Sequence, residues 1–284
     1  MIKNRFAALT IIIVIYILAA FTGNFIYDYF AVNRGLSYQL SLFLADLAAT
    51  VLVFIFSLIF KNASVYDPYW SVQPPVILAL ALAKTEAATG AMGWLLFAAV
   101  LFWALRLTAN WAYNFKSFEY QDWRYVMLKE KTGPFYPLIN FLGIHAFPTC
   151  VVYLCVLPAV TLIAEGAGTE FNPISSIFIT LCFAAAIFQG IADIQMHRFR
   201  KSGSGGFIRS GLWKHSRHPN YTCEILMWWG VGLASVISLG GKYLLLAGAA
   251  VNTLMFLFIS IPMADKRQSR KPGFEEYKKA TRML

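Results

Sequence analysis

Charge is scarce in this chain. Of its 284 residues only 13% are Asp, Glu, Lys or Arg, roughly half the share a soluble domain carries. Acidic residues are scarcer still, 14 against 24 Lys and Arg, which leaves a net charge of +10. No soluble basic surface long enough for a nucleic acid accompanies that charge, so no nucleic-acid partner is expected. Cysteine is limited to four residues. Cys150, Cys155, Cys182 and Cys223 lie in or beside apolar runs without paired ligand spacing, which excludes a disulfide framework and suits buried thiols. His215 and His218 are three apart, but no Cys or acidic cluster joins them, and no metal is expected. No internal repeat and no low-complexity linker divides the chain, so residues 1–284 are read as one domain.

What the chain has is apolar length. Hydrophobic residues make up 58%, in runs that reach the ~20 residues needed to cross a bilayer. The expected fold is all-α: a polytopic helical membrane bundle with spans near 5–22, 38–60, 74–90, 91–114, 139–164, 173–198, 220–237 and 242–262. The third is interrupted by Lys84 and Glu86, which leaves seven spans as the alternative count. Charge favours eight. With both termini cytoplasmic, all Lys and Arg residues except Arg34, Lys84 and Lys242 fall at or near the inner ends, as the positive-inside rule requires. Lys3 and Arg5 before the first apolar run resemble a signal peptide, but no small-residue cleavage site follows, and an uncleaved helix is expected. The expected location is a bacterial inner membrane, with anionic lipids at the inner face.

Polar chemistry concentrates in two inner-face segments. The more informative runs from Gly211 to Glu224 and packs Lys214, His215, Arg217 and His218 ahead of Pro219. Proline fits a first helical turn, and the free N–H groups there add to the attraction for an anion such as phosphate. Asn220, Tyr221 and Glu224 then place polar groups where lipid rejects them unless something specific needs them. Upstream, Gln189, Asp193 and His197 share one helical face, which runs into Arg200 and Lys201. The flexible stretch Ser202-Gly-Ser-Gly-Gly206 and Arg209 follow; no strand precedes these glycines, so they are not a dinucleotide fingerprint. The other segment, 106–131, contains Arg106-Leu-Thr-Ala-Asn-Trp111 and Glu119-Tyr-Gln-Asp-Trp-Arg-Tyr125.

These motifs carry a family resemblance. Asp193-x-Gln, Gly211-Leu-Trp-x-x-x-Arg-His-Pro-Asn-Tyr-x-x-Glu224 and Trp228-Trp-Gly230 resemble the steroid 5-alpha-reductase C-terminal domain family. Asp67-Pro-Tyr-Trp-Ser71, Arg106-Leu-x-x-Asn-Trp111 and Asp122-Trp-Arg-Tyr125 are similar to its bacterial DUF1295 branch, so the likeness extends from about residue 65 onward. Thr222 and Cys223 depart from it, standing where a bulky residue and a glycine are common. The resemblance implies an integral-membrane reductase that uses NADPH on lipid-like enones. It also implies that the basic tail, with Asp265, Arg267 and Tyr277, closes the cofactor pocket.

NADPH carries a pyrophosphate and a 2′-phosphate. Arg200, Lys201, Arg209, Lys214 and Arg217 are suited to them, with His218 beside them, and NADPH is expected to bind better than NADH. Asp193, Asn220 and Glu224 suit ribose hydroxyls or the nicotinamide amide, and Trp213 and Tyr221 suit stacking. The cofactor half is thus placed near 185–284 and the substrate half near 1–184. Hydride delivery to a conjugated carbonyl needs a positioned acid, such as a Tyr hydroxyl helped by a carboxylic acid. Tyr113, Glu119, Tyr120 and Tyr125 are the candidates, with Asp67 next. The substrate is expected to be hydrophobic and to enter from the bilayer. A membrane methyltransferase using S-adenosylmethionine is the alternative enzyme class, and a non-enzymatic membrane protein is the third. That third class predicts acidic residues at the midplane, where Asp46 alone stands deep; its simplest reading is a pairing with a polar group of another helix.

Overall fold

A computed structural model describes residues 2–167 and 171–284, and every element among them is helical. The helices are α1 (Arg5–Asp28), α2 (Tyr38–Ile59), α3 (Tyr69–Lys84), α4 (Ala91–Asn114), α5 (Trp123–Thr132) and α6 (Tyr136–Ile139), followed by α7 (Phe147–Ala164), α8 (Pro173–Lys201), α9 (Pro219–Ser238), α10 (Ala247–Met255), α11 (Ile261–Gln268) and α12 (Phe274–Ala280). Helix starts follow local capping chemistry. Asn4 accepts from the Ala7 N–H, Ser37 from Leu40, and Asn172 from Ile174 and Ser175 ahead of Pro173.

Six helical runs are long and apolar enough to cross a membrane: Arg5–Asn33, Tyr38–Ile59, Ala91–Asn114, Trp123–Ala164, Pro173–Lys201 and Tyr243–Gln268. The chain is therefore a polytopic helical membrane protein. The other two expected spans are also helices, α3 of 16 residues and α9 of 20. The bounds of α3 differ from the expected 74–90. It begins at Tyr69, five residues earlier, because the Ala63–Val65 turn and Pro68 start it, and it ends at Lys84, where Thr85 turns extended. Its span is about 24 Å at 1.5 Å per residue.

Polar contacts sort the helix ends into two faces. On one, the Arg5 guanidinium donates to the Ala112 carbonyl at 2.8 Å and Arg200 donates to Asn114 at 3.5 Å. On the other, Lys84 meets Asp28 at 2.7 Å, Lys242 pairs with Glu165, and Ser175 bonds Ser238 at 2.9 Å. Both chain ends thus lie on the first face. All Lys and Arg residues but Arg34, Lys84 and Lys242 belong there, as the charge pattern implied.

Close helix packing sets the frame. A Cβ placed on Gly248 of α10 would lie 2.1 Å from the Leu154 carbonyl oxygen of α7, so only glycine permits that crossing. At 29 residues, α8 exceeds the ~20 a bilayer requires, and its surplus turns carry Asp193, His197 and Arg200 out to the basic face.

Candidate active site

The site at the basic face begins with two stripes of polar residues. Arg106, Asn110 and Asn114 recur every fourth residue on α4; Gln189, Asp193 and His197 do the same on α8. Residues four apart share a helix face, and the stripes meet as a ladder. Arg106 donates to Asp193 at 2.7 Å and to Gln189 at 3.0 Å, His197 Nε2 pairs with Asn110 Oδ1 at 2.8 Å, and Arg200 reaches Asn114. Asn220, at the start of α9, donates to the other Asp193 oxygen at 3.1 Å. Between these side chains lies a polar cavity of about 210 Å³ lined by Asn110, Asn114, Asp193, Met196, His197, Arg200, Trp213 and Asn220.

Behind this ladder Glu224 is buried and accepts three hydrogen bonds: from the indoles of Trp103 at 2.9 Å and Trp228 at 2.8 Å, and from Gln189 at 2.7 Å. Gln189 in turn holds Arg106. Glu224 therefore fixes the depth of the arginine without lining the cavity.

Arg217 and His218 face the tail. Arg217 is buried and donates to the carbonyls of Thr281 at 2.6 Å and Lys278 at 3.2 Å, and to Asp265 at 3.2 Å. His218 Nε2 meets the other Asp265 oxygen at 2.9 Å. Burial pulls the His218 pKa below its usual value, while Asp265 pulls it back up. Tyr277 donates to the Trp213 carbonyl, so the tail also holds a cavity wall. Arg209 and Lys271 add bonds to the Gly273 and Gly206 carbonyls, at 3.0 and 2.7 Å.

Of the residues expected at a cofactor, Asp193, Arg200, Trp213 and Asn220 line the cavity. Lys201 stands just beyond, over the Tyr113 ring. Tyr221 stacks on His218, Arg267 lies over the Trp123 ring at 4.6 Å, and Lys214 is exposed. Arg209, Arg217, His218, Asp265 and Tyr277 are engaged in docking the tail.

The four catalytic candidates do not converge. Tyr113 and Tyr120 are 55% and 59% exposed, and Glu119 pairs with Lys3 at 3.5 Å. Tyr125 is buried and donates to Asp67 at 2.6 Å, tying α5 to the α2–α3 turn. Burial raises the Asp67 pKa to about 6; the Tyr125 hydroxyl and Arg124 oppose that rise. The folded protein thus holds this proton more tightly than the unfolded chain does. Asp67 therefore favours folding most at low pH, and that contribution is lost as pH rises from the usual 3.8 through about 6. Thermal unfolding of Asp67→Asn should lack the wild-type decline across this window; parallel profiles would show that Asp67 titrates elsewhere.

A second constellation lies inside the membrane. Asp46 of α2 is 5% exposed, accepts from Gln73 at 2.6 Å and from the Tyr69 hydroxyl at 3.5 Å, and has no Lys, Arg or His partner among the described residues. It thus pairs with polar groups of another helix, as its depth suggested. Asp46, Tyr69 and Gln73 edge a largely apolar slot of about 50 Å³ between α1, α2 and α3, whose walls include Ala19, Gly23, Leu42 and Ile77. The buried Gln73 Oε1 has no hydrogen-bond partner. Sequence reasoning did not place Tyr69 and Gln73 here; their spacing of four was the available signal. The slot draws on α1, α2 and α3 and the cavity on α4, α8 and the start of α9; α3 and α4 are joined by a 2.7 Å hydrogen bond between Ser71 and Thr108.

The profile of the DUF1295 family, described as a protein of unknown function, matches residues 53–281. The chain belongs to the DUF1295 family. This DUF1295 protein is also similar to the uncharacterized protein C594.04c of Schizosaccharomyces pombe. The two are 27% identical over 197 residues, covering 59% of this chain and 56% of the relative. It therefore spans about half the length of that relative. No solved structure matches it. The matched region contains the cavity, Tyr69, Gln73 and most of the tail, and leaves out α1 and Asp46.

Proposed function

We propose that this DUF1295 protein is a membrane reductase that uses NADPH to reduce the C=C bond of a lipid-like conjugated carbonyl. The observation that carries the reading is the polar cavity at the basic face, with Arg200 and Lys201 at its edge; a separate apolar slot edged by a carboxyl group supports it. The likeness of residues 193–230 to the steroid 5-alpha-reductase C-terminal domain family supports the same reading. By the positive-inside rule the basic face is cytoplasmic, in keeping with a bacterial inner membrane, and the substrate enters the slot from the bilayer.

The residues present fit the cofactor. Asn110, Asn114, Asp193, His197 and Asn220 offer donors and acceptors suited to ribose and amide groups, and Arg200 and Lys201 stand at the cavity edge for phosphate. When bound, NADPH supplies the hydride. The protein's own part is acid chemistry and exclusion of water. Asp46 and Tyr69 meet the substrate carbonyl at the slot and deliver a proton as negative charge develops on its oxygen. This assignment replaces Tyr113 and Tyr120, whose exposure leaves them without a dry pocket.

The phosphate-suited edge favours NADPH over S-adenosylmethionine, which has no phosphate. Fluorescence titration of the purified protein tests the choice. NADPH is expected to bind, S-adenosylmethionine is not, and Arg200→Ala should weaken NADPH about 30-fold, within the range for a charged hydrogen bond. Binding of S-adenosylmethionine alone would replace this reading with that of a methyltransferase.

A further inference from the structure

The slot between α1, α2 and α3 is polar in one part and apolar in the rest. Asp46, Tyr69 and Gln73 form the polar part, and Gly23, Leu42, Ile77 and Leu80 continue its walls away from the basic face. Its lipid side is thin: Ala20 of α1 is exposed, and Val76 of α3 is 40% exposed. Polar contacts tie α1 to the neighbourhood of α3 at two levels. The Tyr16 hydroxyl donates to the Val65 carbonyl at 2.6 Å, just ahead of α3, and Asp28 meets Lys84 at 2.7 Å near its end. Between these ties α1 offers the slot only Ala19, Ala20 and Gly23, whose size leaves the gap open to the bilayer.

One polar side-chain atom of the slot lacks a partner among the described residues. Tyr69 donates to one Asp46 oxygen at 3.5 Å, and Gln73 Nε2 donates to the other at 2.6 Å. The same nitrogen donates to the Thr149 carbonyl of α7 at 3.3 Å. Gln73 Oε1 accepts from nothing, although the residue is only 2% exposed. Turning the amide over does not cure this. The oxygen would then face the Thr149 carbonyl, two acceptors with no proton between them. A bare acceptor at this depth is costly, because lipid tails have no donor to give it. It becomes a recognition element once a guest brings the donor.

We propose that the slot takes a lipid-like carbonyl compound with an O–H or N–H beside its carbonyl. Gln73 Oε1 accepts from that group and selects for it. Oε1 shares one amide with the nitrogen that touches Asp46, so the guest's two polar atoms sit on neighbouring positions. A primary carboxamide and a hydroxymethyl ketone both meet this demand. The guest's carbonyl faces Asp46 and Tyr69, a placement that rests on the reductase reading. Its apolar remainder runs along Gly23, Leu42, Ile77 and Leu80. A plain ketone fills the same space and leaves Oε1 bare. Gln73 is thus a specificity-determining residue beside the acid.

Calorimetric titration of the full-length protein in detergent, without NADPH, tests the selection. The probes are a conjugated dodecenamide, the matching methyl ketone, in which CH3 replaces NH2 at nearly the same volume, and its hydroxymethyl ketone. Affinities are corrected for the partition of each probe into detergent. Amide and hydroxymethyl ketone should each bind about tenfold or more tighter than the methyl ketone, the size expected for one buried acceptor left unmade. Equal or tighter binding of the methyl ketone would overturn the proposal, and so would no binding by any probe. Equal affinities are also what a water resident on Oε1 predicts. Gln73→Met keeps the length of the side chain without its acceptor and should bring the three affinities together; a preference that survives would place the acceptor elsewhere. Ala20→Phe fills the lipid side of the slot and should weaken all three probes about tenfold or more. Unchanged affinities there would put the binding outside the slot. A preference for the amide in a protein that consumes no NADPH with any probe would retain the ligand class and remove the reductase reading.

Discussion

Arg217→Ala is expected to release the C-terminal tail and to lower stability by about 3–5 kcal/mol, the cost of breaking a buried ion pair from one side. The side chain is 8% exposed and satisfies two tail carbonyls besides Asp265. Its loss leaves the Asp265 carboxylate with His218 alone and strips Thr281 and Lys278 of their donor. Thermal unfolding, with limited proteolysis of residues 265–284, reads both effects. Tail cleavage should appear in Arg217→Ala under conditions that leave the wild type intact. NADPH affinity should fall as well, because Trp213 loses the tail that braces it, so the loss of binding alone does not make Arg217 a phosphate ligand. An unchanged melting temperature would mean that the tail is held by other contacts, and Arg217 would return to the cofactor as its sequence context suggested.

The second large effect belongs to Asp46. Asp46→Asn keeps the shape of the side chain and removes the acid, and it should cut turnover about 100-fold or more while leaving NADPH affinity near wild type. Tyr69→Phe should act in the same direction. The readout is NADPH consumption with a progesterone-like enone. Tyr113→Phe and Tyr120→Phe serve as controls and should keep wild-type turnover, since both rings are more than half exposed. A full loss of activity in Tyr113→Phe with Asp46→Asn active would sink the assignment and move the acid to the basic face.

Much of this architecture is legible in the sequence because it depends on local patterns. Apolar runs mark the helices, and the spacing of Gln189, Asp193 and His197 puts three polar side chains on one face before any coordinate is known. The partner stripe of Arg106, Asn110 and Asn114 has the same spacing, but only packing of α4 on α8 shows that the two meet. Arg217 is a harder case. A basic residue before a helix reads as an anion contact, and its actual acceptors are backbone carbonyls more than 60 positions away, which leave no trace in residue identity. Tyr113 and Tyr125 look alike in the chain, yet one lies 55% exposed and the other 8%. The Asp46 site draws on α2 and α3, 27 positions apart at Gln73. Depth in the second span announced that Asp46 needed a partner, and only the fold names it.

The carboxylate of Glu224 gathers α4, α8 and α9 at one point through Trp103, Gln189 and Trp228. Damage at such a junction does not add up. Once the carboxylate is gone, each indole has already lost its acceptor, and changing it to an apolar residue costs little more; with the carboxylate in place, the same change takes away one of its three buried donors. These four positions are therefore expected to tolerate replacement as a set far better than one at a time.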